Sequence, residues 1–600
     1  MISRTQRHKA PNKRSPLGPS ASWRGLVLLA LLLCGFGVLI GRIVNLQVVD
    51  HAFLQEQGDA RTIRMESITA HRGMITDRDG EPLAVSTPVV TLTANPHDLP
   101  TDRESLTALA KALGEKPESF IAHIENQRNK GFIYLRRQIT PVAAQRVLDL
   151  QLPGIDSQHE YKRYYPAGEV TAQMVGVTNI DDRGQEGLEY AYNDWLTGMP
   201  GQRRVLKDRK GHWVRDLHLI RDARPGHDLH LSINLRLQYL AYRELLDTVQ
   251  RHQADAGSLV MMNAQTGEVL AMTSVPSYNP NNRANMDLAG LRSRPITDAI
   301  EPGSVMKPLA MSAILESGKF SPNTLLDTSP GYIKVDNYTI RDVRNFGKLT
   351  LTGVITKSSN IGMTQLALAL PNDALWQFYN TLGLSHALGT GFPGEASGSL
   401  PPATAWSKAK RATLAYGYGL SVSPLQLASA YTAVANRGKR LPPSLVKLDH
   451  PPEGQQVLAD KISRQVLEMM ETVVGPFGGA GKAAIDGYRV AGKTGTVRKV
   501  GANGYQAHAY RSNFVGIAPA SDPRLIVAIS IDNPKVGGYY GGVVAAPLFA
   551  RVAGPALRML DVPPDEKRDG SKEAQDAVKV TGIPQPNAAA QAAARSAPND

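Results

Sequence analysis

The stretch Ala299-Ile300-Glu301-Pro302-Gly303-Ser304-Val305-Met306-Lys307-Pro308 sets a serine and a lysine three residues apart, directly behind a Pro-Gly pair. Positions i and i+3 share a face of a helix, so Lys307 can reach Ser304 Oγ. Pro302-Gly303 predicts a turn that places Ser304 at a helix N-terminus, where the dipole favours developing negative charge. A serine hydroxyl is a weak nucleophile at neutral pH and needs an activating base. A lysine serves as that base only when burial or a neighbouring cation pushes its pKa down. Pro308 lacks the N–H that would bond the Ser304 carbonyl, which predicts a distorted first turn.

Two further motifs follow in order: Ser358-Ser359-Asn360, 54 residues after Ser304, and Lys493-Thr494-Gly495, 135 residues after Ser358. Singly the first two are common. Ser407…Lys410 and Ser444…Lys447 repeat the Ser-Lys spacing, and Ser232…Asn234, Ser277…Asn279 and Ser321…Asn323 repeat the Ser-Asn spacing. Lys-Thr-Gly occurs once, and the order of the three carries the signal. Ser358 and Asn360, two apart, fit an extended or looped segment with both side chains on one side. Lys493-Thr494-Gly495-Thr496 reads as an edge strand whose glycine lets backbone approach a substrate closely. Lys493 is a candidate for the second cation. No phosphate loop, dinucleotide fingerprint or His-Glu-x-x-His helix is present, so neither a cofactor nor a metal is expected. The single cysteine, Cys34, excludes an intramolecular disulfide framework and a multi-cysteine zinc site.

With these motifs the sequence resembles the penicillin-recognising serine acyl transferases, the group of penicillin-binding proteins and serine β-lactamases. The flanks of Ser304, together with Tyr416-Gly417-Tyr418-Gly419-Leu420-Ser421 and Pro424-Leu425-Gln426-Leu427-Ala428, resemble class B penicillin-binding proteins, most closely the septal, penicillin-binding protein 3 type. Three earlier segments resemble that class's pedestal motifs: Arg72-Gly73-Met74-Ile75-Thr76-Asp77-Arg78-Asp79-Gly80, Arg163-Tyr164-Tyr165-Pro166-Ala167-Gly168 and Gly187-Leu188-Glu189. The resemblance spans about residues 25–565. It implies that Ser304, Lys307, Ser358, Asn360 and Lys493 are catalytic, with Ser358 relaying a proton to the leaving amine and Asn360 contacting Lys307 and the substrate amide. It assigns Lys493, Thr494 and Thr496 to the substrate carboxylate, with Gly495 beside them, and the backbone N–H groups of Ser304 and Thr496 to the oxyanion hole. Tyr416, Tyr418, Tyr539 and Tyr540 resemble pocket aromatics, a core or rim position being the alternative for any one. Arg498 is a candidate for an anionic substrate or a solvated strand end. Asp77 and Arg78 read as a structural turn pair.

The composition, 42% hydrophobic and 20% charged, excludes a disordered, collagenous or polytopic chain. The formal net charge of +13 suggests a nucleic-acid partner until it is located. Arg4, Arg7, Lys9, Lys13, Arg14 and Arg24 place six of those charges before residue 25, with no acid among them. The uncharged run Gly25–Gly41 follows, with eleven Leu, Val, Ile or Phe residues in seventeen. Those residues favour membrane insertion by roughly 3–6 kcal/mol. Seventeen residues span about 25 Å, slightly short of the hydrocarbon core, so Arg24 and Arg42 are expected to snorkel at its edges. The basic tail should stay cytoplasmic, placing the chain after about residue 45 outside; the resemblance implies the inner membrane and a periplasmic catalytic region. No small-x-small site follows the run, which disfavours a cleaved signal peptide.

The expected layout is a basic tail over 1–24, a transmembrane anchor over 25–45, a mixed α+β pedestal of the dimerisation type over 46–225, a transpeptidase domain over 226–565 and a disordered tail over 566–600. The fold class is α+β with a β-lactamase-like domain, its one sheet assembled from the distant segments 258–275 and 488–532. A helix is expected over 546–560. The resemblance implies a septal D,D-transpeptidase that cross-links peptidoglycan stem peptides, is acylated by β-lactams, and works with a membrane glycan polymerase and other division proteins. An elongation-type enzyme, a D,D-carboxypeptidase and a division scaffold are the alternatives. No nucleic-acid partner is expected.

Overall fold

The computed structural model describes residues 20–207, 213–284, 288–501 and 504–566. Most of the basic tail and the tail after 566 lie outside the described residues. Two compact units emerge, one containing the chain up to Thr69 with Pro200–Arg224, the other Ala70–Met199 with the chain from Pro225 onward.

The first unit holds a helix over Ser20–Val44, a π-helical turn over Asn45–Val49 and a second helix over His51–Thr62. Its apolar stretch, Trp23–Val49, is 27 residues long and exposed along its length, as a single membrane anchor would be. That is about 40 Å at the α-helical rise, longer than the charge-free run alone. The helix continues past Arg42 through Ile43 and Val44 into the π-helical turn that carries Leu46, Val48 and Val49, so the stretch includes both Arg24 and Arg42. A three-stranded antiparallel sheet of Ile63–Ile68, Gly201–Lys207 and Trp213–Arg221 completes this unit.

In the second unit, a helix α1 (Leu235–Arg251) precedes strands β1 (Ala256–Asn263) and β2 (Val269–Val275). Helices α2 (Lys307–Glu316), α3 (Leu351–Lys357), α4 (Asn360–Leu368), α5 (Lys408–Leu414), α6 (Pro424–Ala435) and α7 (Asp460–Val474) follow. The chain then returns through β3 (Ala491–Gly501), β4 (Gly504–Ala518), β5 (Leu525–Asp532) and helix α8 (Gly541–Met559). The sheet order is β2-β1-β5-β4-β3, all antiparallel, with β3 at the edge. The expected sheet of two distant segments is thus present. β2 is buried throughout, and α1, α6, α7 and α8 all pack on the sheet. Burial on both faces removes the polar alternation that a one-sided sheet shows. Helix α8 begins at Gly541, five residues before the expected start, and runs through Pro547 and Pro555. Tyr540 is its N-cap.

Residues 70–199 share this core. One continuous apolar cluster runs from Ile75 to Val562, and a smaller one around Leu92, Leu109 and Ile124 lies under strands Pro82–Ala94, Ile133–Ile139 and Ile155–Tyr164. The three early signature segments meet at a single buried carboxylate. Glu189 accepts from Arg72 Nε at 2.8 Å and from Arg163 Nε at 2.6 Å, and its side chain is fully buried. Arg72 Nη1 donates to Asp182 O, Asn193 Oδ1 and Thr197 Oγ1, and Nη2 to Glu189 O. Removing one partner from such a cluster strands the others, at a typical cost of about 3–5 kcal/mol. Glu189→Ala is accordingly expected to lower the thermal unfolding midpoint sharply, whereas Glu66→Ala, at a half-exposed pair with Arg203, should move it little. Asp77 is structural, as expected: its carboxylate accepts from the backbone of Asp79, Glu81 and Leu235, pinning this segment to the start of α1. Arg78 pairs with Glu268.

Candidate active site

Ser304 lies in a 3-10 turn, Gly303–Met306, that runs into α2. Pro308 cannot donate to Ser304 O, so Lys307 N–H does, tightening the turn. This is the distortion the sequence predicts. With three residues per turn, positions i and i+3 eclipse, so Ser304 and Lys307 share one side. The turn is laced to its neighbours through main chain. Gly303 N donates to Gly417 O at 3.0 Å, and a Cβ on Gly417 would sit 2.0 Å from Gly303 O. Gly495 has a similar reason: its Cβ would meet Pro302 O at 2.9 Å. That glycine brings the edge strand against the nucleophile's turn, a packing role beside the substrate approach expected for it.

Lys307 is fully buried. Its Nζ lies within hydrogen-bond range of Ser358 O, of Ser358 Oγ at 3.2 Å and of Asn360 Oδ1 at 2.8 Å; none of the three contacts is with Ser304 Oγ. Lys493, also fully buried, donates to Ser358 Oγ at 3.0 Å and to Thr494 O at 3.1 Å. One hydroxyl therefore joins the two lysines. Burial, then the charge of Lys493, push the Lys307 amine well below its ordinary range, with Asp342 opposing. Burial takes Lys493 down to about 7. Burial and the neighbouring Lys493 charge both act on Lys307 in the direction a general base needs, toward the neutral amine.

The Ser-Ser-Asn segment is looped as expected, a two-residue link between helices in which Ser359 is extended and Asn360 opens α4. Ser358 closes α3 in the left-handed region, at φ 57° and ψ 42°, and Ser359 caps α4 by accepting from Gly362 N. The junction is held by Asp342, which sequence reasoning missed. Its carboxylate accepts from Ser359 Oγ, Asn360 N and Ile361 N at 2.5, 2.5 and 3.1 Å. Asn360 Nδ2 donates to Arg341 O, which turns Oδ1 toward Lys307. No local pattern ties Asp342 to a serine 17 residues later.

A cleft of about 860 Å³ opens over this centre, and Ser304, Ser358, Asn360, Thr494, Thr496, Tyr418, Arg498 and Tyr540 all line it. Lys307 and Lys493 lie beneath. Thr496 Oγ1 accepts from Gly541 N at 3.0 Å, tying the edge strand to the start of α8 and leaving its hydroxyl proton free to face the cleft. Tyr510 stacks on Tyr539 with centroids 3.9 Å apart, and Tyr539 on Tyr540 at 4.6 Å, forming one aromatic wall. Tyr416 is buried, its ring 5.9 Å from Lys307 Nζ. Among the described residues the cleft lining contains Lys357, Lys482 and Arg498 and no acid, which suits a carboxylate-bearing ligand. Glu301 was also missed: it accepts from Gly419 N and Tyr505 OH, fixing the loop that carries Tyr418.

The penicillin-binding protein transpeptidase domain matches residues 257–554, and the penicillin-binding protein dimerisation domain matches residues 67–231. The peptidoglycan D,D-transpeptidase FtsI of Escherichia coli K12 is 43% identical over 568 residues, covering 94% of this chain and 96% of that protein. The probable peptidoglycan D,D-transpeptidase PbpC of Pseudomonas aeruginosa is 43% identical over 548 residues, covering 91% and 97%. Among solved structures, the transpeptidase domain of Burkholderia pseudomallei penicillin-binding protein 3 superposes with a TM-score of 0.52 at 42% identity, over 56% of this chain and 98% of that one. A peptidoglycan synthetase of Bifidobacterium adolescentis gives 0.68 at 25% identity, over 84% and 98%. With both domains matched, and identity of this level running nearly end to end, the chain belongs to the class B penicillin-binding proteins of the septal, penicillin-binding protein 3 type.

Proposed function

We propose that this protein is the serine D,D-transpeptidase that cross-links peptidoglycan stem peptides during septum formation, and that β-lactams acylate the same serine. The observation that carries the reading is the pair of buried lysines joined through Ser358 Oγ beside Ser304. Neutral Lys307 takes the Ser304 proton as Oγ attacks the carbonyl of a terminal D-Ala-D-Ala. The oxyanion is met by the backbone N–H groups of Ser304 and Thr496; one such donor is typically worth about 3–4 kcal/mol. Ser358 passes a proton to the departing D-Ala amine as the C–N bond breaks. Lys493, Thr494 and Thr496 receive the terminal carboxylate. The acyl group then leaves Ser304 for an amine on a second stem.

The layout in this reading is the one expected from sequence: tail 1–24, anchor 25–45, pedestal 46–225, transpeptidase domain 226–565 and tail 566–600. The basic tail faces the cytoplasm and the catalytic region the periplasm, with a membrane glycan polymerase and other division proteins as partners. The steep charge asymmetry across the apolar helix supports the orientation. The test is exchange: with a thioester donor and a D-amino acid, the full chain should form the new amide in excess over hydrolysis. Hydrolysis alone refutes the transferase. Depletion in its own host should give filaments, and round cells would refute the septal role.

A further inference from the structure

Ser304 and Thr496 stand nearly two hundred residues apart in the chain. An oxyanion hole built from their N–H groups needs both donors about 2.7–3.1 Å from one oxygen. The nucleophile's turn and the edge strand must therefore be held at a fixed spacing. Resting on the serine acyl-enzyme reading, we infer that Asn513 sets this spacing. It is a positioning residue for the oxyanion hole and acts without touching substrate.

Asn513 lies on β4, paired across the antiparallel register with Gly495, one position before Thr496, and is 1% exposed. Its Nδ2 donates to Pro302 O at 3.1 Å. Only the amide nitrogen can donate to a carbonyl oxygen, so chemistry fixes which way the side chain faces. Pro302 O belongs to the same peptide unit as Gly303 N, and Gly303 N donates to Gly417 O at 3.0 Å. A peptide unit is planar, so a bond to its oxygen and a bond from its nitrogen together fix the plane. Gly303, at φ 64°, links that plane directly to the peptide unit carrying Ser304 N–H. One donor of the hole thus takes its direction from a plane that Asn513 holds. The other, Thr496 N–H, sits on the strand bonded to Asn513's own. A side chain at Gly495 would crowd both ends of this contact: its Cβ would lie 2.9 Å from Pro302 O and 3.3 Å from Asn513 Cβ.

The amide also carries a cost that packing alone does not explain. Its Oδ1 is buried with no hydrogen-bond partner among the described residues. A buried, unsatisfied acceptor is destabilising, and leucine has the same heavy-atom skeleton without it. What leucine lacks is the donor to Pro302 O.

The test compares the full wild-type chain with Asn513→Leu, using penicillin labelled with ¹³C at the lactam carbonyl. In the acyl-enzyme that carbon becomes the ester carbonyl, and its infrared band reports the hydrogen bonds the oxygen accepts. In the wild type the band should lie below that of the same adduct after denaturation. In Asn513→Leu it should move up toward the denatured position. The acylation rate constant should fall at least tenfold, while the dissociation constant of the initial complex stays within about threefold. If Asn513→Leu does not fold, Asn513→Ser, whose hydroxyl is too short to reach Pro302 O, is read in the same way. A folded variant with the wild-type band and rate overturns the assignment. So does a slower rate with an unshifted band, which makes Asn513 a packing residue only. A wild-type protein that takes no penicilloyl group on Ser304 overturns the acyl-enzyme reading itself.

Discussion

Ser304→Ala should abolish labelling by a penicillin. Intact-mass measurement of the wild type should show one penicilloyl adduct, and the variant none at any incubation time. The loss should be complete because the two serines that share this centre are committed to other bonds. Ser358 Oγ is tied to both lysines, and Ser359 Oγ is committed to Asp342 and Gly362 N. The variant should keep the wild-type unfolding midpoint, since Ser304 is only half-buried and its turn is fixed by main-chain bonds from Gly303 and Lys307. An adduct surviving in Ser304→Ala would place the nucleophile elsewhere.

Lys307→Met should slow acylation by about 10²–10⁴-fold, the usual range for loss of a positioned base. The pH profile separates this from a structural defect. In the wild type the rate should fall with pH as the amine takes up a proton, whereas residual acylation in Lys307→Met should lose that limb. On replacing the lysine, stability should move the opposite way to activity. Both buried lysines have folded pKa values below the ordinary value of 10.5. The unfolded chain therefore binds more protons across the interval, and stability rises with pH through it. For Lys493 that interval runs from about 7 up to 10.5. Below it the penalty for a buried ammonium is fully present. Lys307→Met removes one such penalty and is expected to raise the unfolding midpoint at pH 7, with a shallower rise toward pH 10. A midpoint lower than the wild type at pH 7 would contradict the buried, neutral amine.

The features visible in sequence were those carried by local chemistry. Pro308 announced the tightened turn, Lys-Thr-Gly the edge strand, and the run after Arg24 the apolar helix. The two-segment sheet followed from strand signals on either side of a helical stretch. What escaped depends on contacts between distant residues. Asp342 sits in an unremarkable loop and acquires its role when α4 offers two backbone N–H groups and Ser359 to it. The left-handed Ser358 is set by the helices it joins. Helix α8 starts early because Thr496, 45 residues upstream, receives the N–H of Gly541. Glycine's part in Lys-Thr-Gly was visible, but its tightest neighbour, Pro302 O, came from the far end of the domain.

Strands β1 and β3 are separated by more than two hundred residues, and the sheet that joins them carries Lys493 to the serine it shares with Lys307. Contacts of such long sequence separation form late. A chain emerging N-terminus first has Ser304, Lys307 and the Ser-Ser-Asn junction in hand well before Lys493 appears. Until that last strand docks, no second cation bears on Lys307 and the edge that receives a carboxylate does not exist. Reactivity is thus assembled at the end of synthesis, and an arrested or truncated chain cannot consume substrate or antibiotic.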